Sequence, residues 1–547
     1  MKISIVSVAI ELSNLSFPLG ALCVETAIKS DPRLNDVDCN TVLFTIEDSP
    51  SESAMKIKDS GVDLIGLSVY LWNRVWLDSF MNELNIIAPN IKIFAGGTEV
   101  SANYPSFNLD KFIFMTAGEG EAPTPVALAQ YLNNEEIKGL GIMSKDSPSF
   151  SYASVLDLSK LESPILTKVC DPFLIEGGSM LWEMTRGCPF HCGFCFESKG
   201  LRGVRDYPYD RIKQEIDYIV DKGINDVFVL DPTFNINKER TMKMLNLIRT
   251  KASDIHFSFE LRAELLDQDL ADGFGSIFCS LQIGLQSIHQ DVLKSVGRDF
   301  IKKLFKEKIT LLEERGIVYG LDLIIGLPHD TLAKFKESLD FTIGCKPSNV
   351  DIFPLSLLPG TRIADEADSY GMKYDKNSPY VVKETPSFSK EDMVKAMKIK
   401  NGCDLFYTKG QASMYTNLVC ETLEIRPSQL FEYFNSYLEY LTSKGHDIEE
   451  MDIFDLQDNF LKQMMKKFKK EEYNIPLFSY IEMHQGIAYF FEEGMGPLLS
   501  LYYQPNELAL LDKQKIERFA KKHEPFEEPK DFMIVELDEG IDFIEYK

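Results

Sequence analysis

The chain has 547 residues, 44% hydrophobic and 26% charged, and its 58 Lys and Arg against 84 Asp and Glu give a formal net charge of −26. That length holds about three to four domains at roughly 150 residues each, and the acid excess argues against the broad cationic footprint of a nucleic-acid binder. No run approaches the ~20 apolar residues of a membrane span, and ten cysteines in so long a chain are no disulfide framework.

Residues 1–135 alternate β-rich runs at 2–10, 41–46, 63–68, 92–95 and 112–115 with amphipathic stretches such as 75–87. The alternation predicts an α/β fold that begins with a Rossmann-like, doubly wound parallel sheet. The first run meets Glu11 without a small-residue cleavage site, so it reads as a buried strand rather than a signal peptide. Ligands of such sheets bind beyond the carboxyl ends of the strands. The loops found there are Ser68-Val69-Tyr70, Gly96-Gly97 and Gly118-Glu119-Gly120-Glu121. Their small residues let a large ligand approach the backbone. Residues 136–178, with scattered Ser and Pro, read as a linker.

A second series has strands at 179–184, 226–230, 256–260, 278–283, 318–324 and 349–355, separated by helical patterns such as 210–222 and 332–342. It predicts a complete or partial βα barrel of about six units over 179–375, with chemistry at the strand carboxyl ends. Directly after its first strand stands Arg186-Gly187-Cys188-Pro189-Phe190-His191-Cys192-Gly193-Phe194-Cys195, a C-x3-C-x2-C spacing. Glycines and a proline break regular structure there, so the loop can wrap a compact object. Three thiolates are one short of the usual set for an iron–sulfur cluster, which would leave one iron open. Buried structural thiols, or a zinc site completed by His191, are the other readings of the trio.

From 376 onward the pattern is mostly helical, with stretches at 390–406 and 428–442. It ends in a β-hairpin of 531–537 and 541–546 turning at Asp538-Glu539-Gly540. The basic run Lys466-Lys467-Phe468-Lys469-Lys470, followed by Glu471-Glu472, reads as a solvated helix face.

The cysteine loop, with Phe194 before its last cysteine and a βα series behind it, resembles that of the radical S-adenosylmethionine (radical SAM) enzymes. The resemblance implies that Cys188, Cys192 and Cys195 hold a [4Fe–4S] cluster whose fourth iron is chelated by SAM. It places Phe194 at the adenine and Thr233 and Asn235 where the SAM amino group binds, although Asp231-Pro232-Thr233-Phe234-Asn235 departs from the family's usual Gly-Gly-Glu form. Glu260 and Arg262 fall at the ribose hydroxyls and the carboxylate, Gln286 at a further polar contact, and Ile325 in the segment flanking the adenine. An ordinary surface ion pair is the other reading of Glu260 and Arg262.

The N-terminal region resembles the cobalamin-binding domains that precede the barrel in one large radical SAM class, on Pro18-Leu19-Gly20 and the three strand-end loops. That implies cobalamin contacts at Ser68, Tyr70, Gly96, Gly97, Gly118, Glu119 and Gly120, the alternative being a domain that has lost its corrinoid. All seven histidines lie at or beyond His191, so this domain offers no histidine as a lower cobalt ligand, and the segment 70–74 is expected against that face. Cys23, Cys39, Cys279, Cys345, Cys403 and Cys420 are too dispersed for further clusters and read as buried apolar residues.

Over residues 1–375 the resemblance implies a cytoplasmic cobalamin-dependent radical SAM enzyme that methylates an unactivated carbon: a 5′-deoxyadenosyl radical removes hydrogen and methylcobalamin supplies the methyl group. The implied partners are a small-molecule or lipid substrate and an electron donor such as flavodoxin or ferredoxin, with no nucleic acid. A non-methylating cyclisation, rearrangement or oxidation is the alternative, and a corrinoid or redox sensor without turnover a remote one. The active site is expected between the N-terminal sheet and the barrel mouth, closed by the C-terminal helices.

Overall fold

Short runs rich in Ile and Val pair into the first sheet of the computed structural model, which describes residues 1–13, 16–197, 203–537 and 540–546. Its strands are β1 (Lys2–Ala9), β2 (Asp38–Thr45), β3 (Leu64–Ser68), β4 (Lys92–Gly96), β5 (Met115–Thr116) and β6 (Ile142–Met143), in the order β2-β1-β3-β4-β5-β6. The first five are parallel and β6 is antiparallel to β5. Successive side chains of a strand point to opposite faces. On β1, Ile3 and Ile5 accordingly enter one apolar core, while Val6 and Val8 enter another on the opposite face.

The fifth strand is shorter than the run 112–115 suggests. Asn108 accepts a hydrogen bond from the Asp110 N–H and holds Leu109–Lys111 in a helical turn just before it. The stretch 136–178 does more than link: it adds β6 to the sheet edge, and Ala153 bridges Gly118.

The second sheet is a partial barrel. Its region contains β7 (Ser179–Trp182), β8 (Thr185–Arg186), β9 (Arg205–Asp206), β10 (Asp226–Val229), β11 (His256–Leu261), β12 (Cys279–Gln286), β13 (Val318–Ile325) and β14 (Asn349–Pro354). Six of these pair in parallel in the order β14-β13-β12-β11-β10-β7, with β14 and β7 as its two ends. The first strand stops at Trp182 instead of running to 184. Asp231 Oδ1 accepts from the N–H groups of Met184 (2.8 Å) and Thr185 (2.9 Å), which turns the chain so that β8 pairs with β9 as a separate ribbon.

After the barrel, β15 (Lys373–Tyr374) and β16 (Val382–Glu384) form a small antiparallel pair. The following helices include Lys390–Cys403, Pro427–Ser443, Ile453–Phe468 and Asn474–Glu493. They pack against the open side of the barrel. The Val350 N–H of β14 donates to Thr408 Oγ1 (3.2 Å), and the Tyr407 hydroxyl donates to Pro347 O (2.5 Å). A free strand edge is a template for unwanted pairing, and these helices cover it. The start of Lys390–Cys403 reaches the strand ends, where Met393 packs beside Gly326.

The chain closes with β17 (Leu499–Leu501), β18 (Lys530–Leu537) and β19 (Gly540–Glu545), an antiparallel sheet in that order. The expected hairpin is β18–β19, and β17 is an additional strand. The turn residues Asp538 and Glu539 lie outside the described residues. Among the described residues no helix is long and apolar enough to cross a membrane.

Candidate active site

The cysteine loop leaves the barrel through a narrow neck. Gly187 has φ +89°, and a Cβ there would lie 2.5 Å from Gly203 O, so only glycine lets the two sides of the neck close. Inside the loop, the Gly193 N–H donates to Val296 O (2.8 Å) and Gly193 O accepts from the Ile363 N–H (3.0 Å). Cys188 Sγ lies 3.8 Å from Thr233 Oγ1, and the Glu197 N–H donates to Cys195 Sγ at 3.4 Å.

Burial pushes the Cys195 thiol up to about 12, and Cys192 and Cys188 are both close enough to add to the shift. The thiols therefore share one neighbourhood. Among the described residues, however, no three His, Cys, Asp or Glu side chains converge tightly enough to hold a single metal ion. A tetrahedral zinc needs every sulfur about 2.3 Å from one point. In a cluster each thiolate binds a different iron, so the three sulfurs need not meet at one point.

The barrel mouth beneath the loop gathers polar groups from successive strand ends. Asn235 donates Nδ2 to Arg262 O (2.9 Å) and accepts from the Arg262 N–H (3.1 Å), so its amide fixes the end of β11. The Arg262 guanidinium stacks on the Phe190 ring of the cysteine loop at 3.7 Å and pairs with Glu264 at 2.6 Å. The Thr233 hydroxyl donates to Pro232 O at 2.7 Å. Burial raises the Glu260 carboxyl, and the Glu197 carboxylate adds to that. Phe194 packs against the main core, and Ile325 is fully buried at the end of β13.

Gln286 takes φ +67° at a register shift in β12. Strained backbone of this kind persists only where the surroundings hold it. Its amide folds back over Gly284, and its buried Oε1 has no hydrogen-bond partner. Arg298 reaches the same place and donates Nη2 to Gly284 O at 2.6 Å. Burial and then Arg262 lower the pKa of Arg298, with the Cys192 thiol close by. Two guanidiniums converge there; Arg298 makes no ion pair within 4 Å among the described residues, although the Glu264 and Asp322 carboxylates are near enough to favour its charge. Asp322 lies nearby, pushed up to about 7 by burial, with Gln282 opposing the shift and Asp351 and Glu260 adding to it.

At the strand ends of the N-terminal sheet the glycines serve the chain itself. A Cβ on Gly97 would lie 2.4 Å from Val69 O, and one on Gly118 would lie 2.0 Å from Ala153 O. Tyr70 stacks on Trp72 with ring centroids 4.5 Å apart, and its N–H donates to Asn73 Oδ1 at 2.8 Å. Ser68 ends β3, and its carbonyl accepts from Asn73 Nδ2 at 3.0 Å. Gly96 O accepts from the Val69 N–H at 2.8 Å. Gly120 packs beside Val24, and Glu119 pairs with Arg205. Beside these loops Ile10, Leu12 and Trp72 are 56%, 80% and 46% exposed. Exposed apolar side chains near strand carboxyl ends are candidates for a ligand surface. Cys23 is partly exposed rather than buried and faces Glu121, Arg186 and Glu183.

Residues 182–342 match the family described as the radical SAM superfamily. They form a radical SAM domain. A radical SAM domain works with a [4Fe–4S] cluster and SAM, and the cysteine loop and the barrel mouth are where this one would hold them.

Among curated proteins, the chain is 22% identical over 357 residues to the cobalamin-dependent radical SAM methyltransferase TokK of Streptomyces tokunonensis, covering 58% of this chain and 51% of that protein. It is 23% identical over 412 residues to the 2-(S-pantetheinyl)-carbapenam-3-carboxylate methyltransferase of Streptantibioticus cattleyicolor, covering 66% of this chain and 57% of that protein. The chain thus spans little more than half the length of these relatives. Among solved structures, the cobalamin-dependent S-adenosylmethionine radical enzyme OxsB with aqua-cobalamin bound superposes with a TM-score of 0.59 at 13% identity, over 95% of this chain and 84% of that one. The fold is therefore shared along almost the whole chain, beyond the radical SAM domain.

Arg298, Asp322, Ile10 and Leu12 are not singled out by the sequence, and Trp72 enters there only as part of the segment 70–74. Asp322 had a signal, as an ionisable residue inside the otherwise apolar strand of Val318–Ile325. Arg298 had none, because its meeting with Gln286 over Gly284 is made by the fold.

Proposed function

We propose that this chain is a cobalamin-dependent radical SAM methyltransferase acting on an unactivated carbon of a small-molecule or lipid substrate. The observation that carries the reading is a pair of open places on the two sides of one domain boundary. One is the cysteine loop with Arg298 and with Gln286, whose buried Oε1 has no hydrogen-bond partner, and the other is the strand-end region where Ile10, Leu12 and Trp72 stand exposed.

Cys188, Cys192 and Cys195 would hold the cluster. Arg298 and Arg262 suit the SAM carboxylate, because a guanidinium bonds a carboxylate through two parallel contacts. Glu260 and Asp322 would meet ribose hydroxyls or the ammonium, Gln286 Oε1 a donor of the same ligand, and Phe194 and Ile325 the adenine. Tyr70, Trp72 and the loops of Ser68, Gly96, Gly97, Gly118, Glu119 and Gly120 would carry the corrinoid. When bound, the cluster and SAM supply a hydrogen-abstracting radical and the corrinoid supplies the methyl group. The protein's work is to orient these groups and keep water from the space between them, and an electron carrier such as flavodoxin or ferredoxin would serve the cluster.

The test needs no substrate. Anaerobic reconstitution with iron, sulfide, dithionite and SAM should yield 5′-deoxyadenosine and methionine. Methyl-labelled SAM should pass its label to added hydroxocobalamin. Absence of both products refutes the reading, and 5′-deoxyadenosine without label transfer moves it to a non-methylating reaction.

A further inference from the structure

The neck of the cysteine loop is gripped by the strand-end loop of the N-terminal sheet. Arg186 and Arg205 face one another across the β8–β9 ribbon, and both reach over the domain boundary. Arg205 forks onto Glu119, with Nη1 donating to Oε2 at 3.0 Å and Nη2 to Oε1 at 2.6 Å, while Nη1 also donates to Val155 O at 2.5 Å. Glu119 Oε2 accepts in turn from the Val155 N–H at 2.7 Å. Beside this fork, Arg186 donates Nη2 to Glu121 Oε1 at 2.6 Å and Nε to Glu183 Oε1 at 2.9 Å.

Both arginine side chains are largely covered, at 12% and 16% exposure. A forked pair fixes direction and distance as well as charge. Arg205 nevertheless leaves its buried Nε without a partner. An unmade buried hydrogen bond costs stability, so the arrangement holds a position more than it maximises stability. The position is informative: Arg186 stands two residues before Cys188, and Glu119 stands between Gly118 and Gly120.

We propose that the Arg205–Glu119 fork, backed by Arg186–Glu121, is a positioning device that couples occupancy of the cluster site to the affinity of the corrinoid site. The proposal rests on the function proposed above. A cysteine loop ordered around its cluster fixes the ribbon, the ribbon fixes the loop of Gly118–Glu121, and a corrinoid then meets a surface that needs no further ordering. By linkage the corrinoid stabilises the cluster-bound loop to the same extent. Arg205 touches neither proposed cofactor, which makes it a positioning residue.

The test is an anaerobic titration of the full chain with hydroxocobalamin, read by its visible absorbance, with and without the reconstituted cluster. Wild type is expected to bind about fivefold or more tightly with the cluster, the lower end of ordinary site-to-site coupling. Arg205→Gln should bring the two affinities within about twofold while iron and sulfide content stay at the wild-type level. Arg205→Lys keeps the charge without the fork and should at least halve the ratio, which decides the matter if the Gln variant does not fold. A merely structural fork would shift both affinities together and leave the ratio unchanged. A wild-type ratio near one, or a wild-type ratio retained in the variants, overturns the coupling alone. Wild type that binds no cobalamin in either state overturns the functional reading as well.

Discussion

The hydroxyl of Tyr380 donates to Glu99 Oε1 at 2.5 Å and accepts from Asn103 Nδ2 at 2.7 Å. These contacts tie the segment that follows the barrel to the strand ends of the N-terminal sheet. Ser378 adds a second tie by donating Oγ to Leu71 O at 2.5 Å. Glu99 is 3% exposed, and its other charged neighbour, Arg74, stands 3.9 Å away. Tyr380→Phe removes a donor from a buried carboxylate, which costs about 1–3 kcal/mol. Urea unfolding followed by circular dichroism should show an earlier transition in the variant, and coincident curves would mean that the tie carries no stability.

Cluster assembly is the most direct test of the loop. The wild type should take up about four irons per chain on anaerobic reconstitution. Cys188→Ala, Cys192→Ala and Cys195→Ala should each lose most of the iron and the charge-transfer absorbance. Cys23→Ala should retain both, since Cys23 lies on the first helix and faces Glu121 and Arg186. Equal iron content in wild type and all three loop variants would remove the cluster from this loop.

What could be read from the sequence and what could not divide along a physical line. The βα alternation, the positions of the strands along the chain and the cysteine spacing are local patterns, and periodicity reports local patterns well. The ribbon of β8 and β9 is two residues on each side, too short for any period, and it exists because Asp231 captures the Met184 and Thr185 N–H groups from another strand. Gln286 was legible as a strand-end polar residue, yet its partner Arg298 was not, since a helix and a turn intervene. Gly97 and Gly118 were legible as special positions but for a different reason: their missing Cβ atoms make room for the chain's own carbonyls. The tie between Tyr380 and Glu99 spans 281 residues of sequence, and no local pattern encodes it.

Arg298 should control SAM affinity without controlling cluster assembly. Its guanidinium is part-buried beside Gly284 and Cys192 and makes no ion pair within 4 Å among the described residues, with Glu264 and Asp322 as its more distant acidic neighbours. Arg298→Gln removes the charge while keeping a planar donor, and losing a charge-assisted contact to a carboxylate costs about 1.5–3 kcal/mol, roughly ten- to a hundredfold in affinity. Equilibrium dialysis with labelled SAM on the reconstituted protein measures this directly. Unchanged affinity at wild-type iron content would reassign Arg298 to packing.

Asp330 gives a pH prediction away from the cluster. Burial pushes its carboxyl up to about 7, with the Thr331 N–H and Lys334 opposing the shift. A carboxyl raised in the folded state binds a proton there that the unfolded chain releases near its ordinary pKa of about 3.9. Folding is therefore favoured by this group's proton at low pH, and stability falls as pH rises from about 4 through about 7. A shift of this size corresponds to about 4 kcal/mol across the window. Asp330→Asn mimics the protonated carboxyl, since its amide oxygen still accepts from the Thr331 N–H that now reaches Asp330 Oδ1 at 2.9 Å. Urea midpoints measured between pH 4.5 and 8 should decline less steeply in the variant, with its advantage greatest at pH 8. Parallel declines in wild type and variant would show that Asp330 is already ionised in the folded protein at low pH.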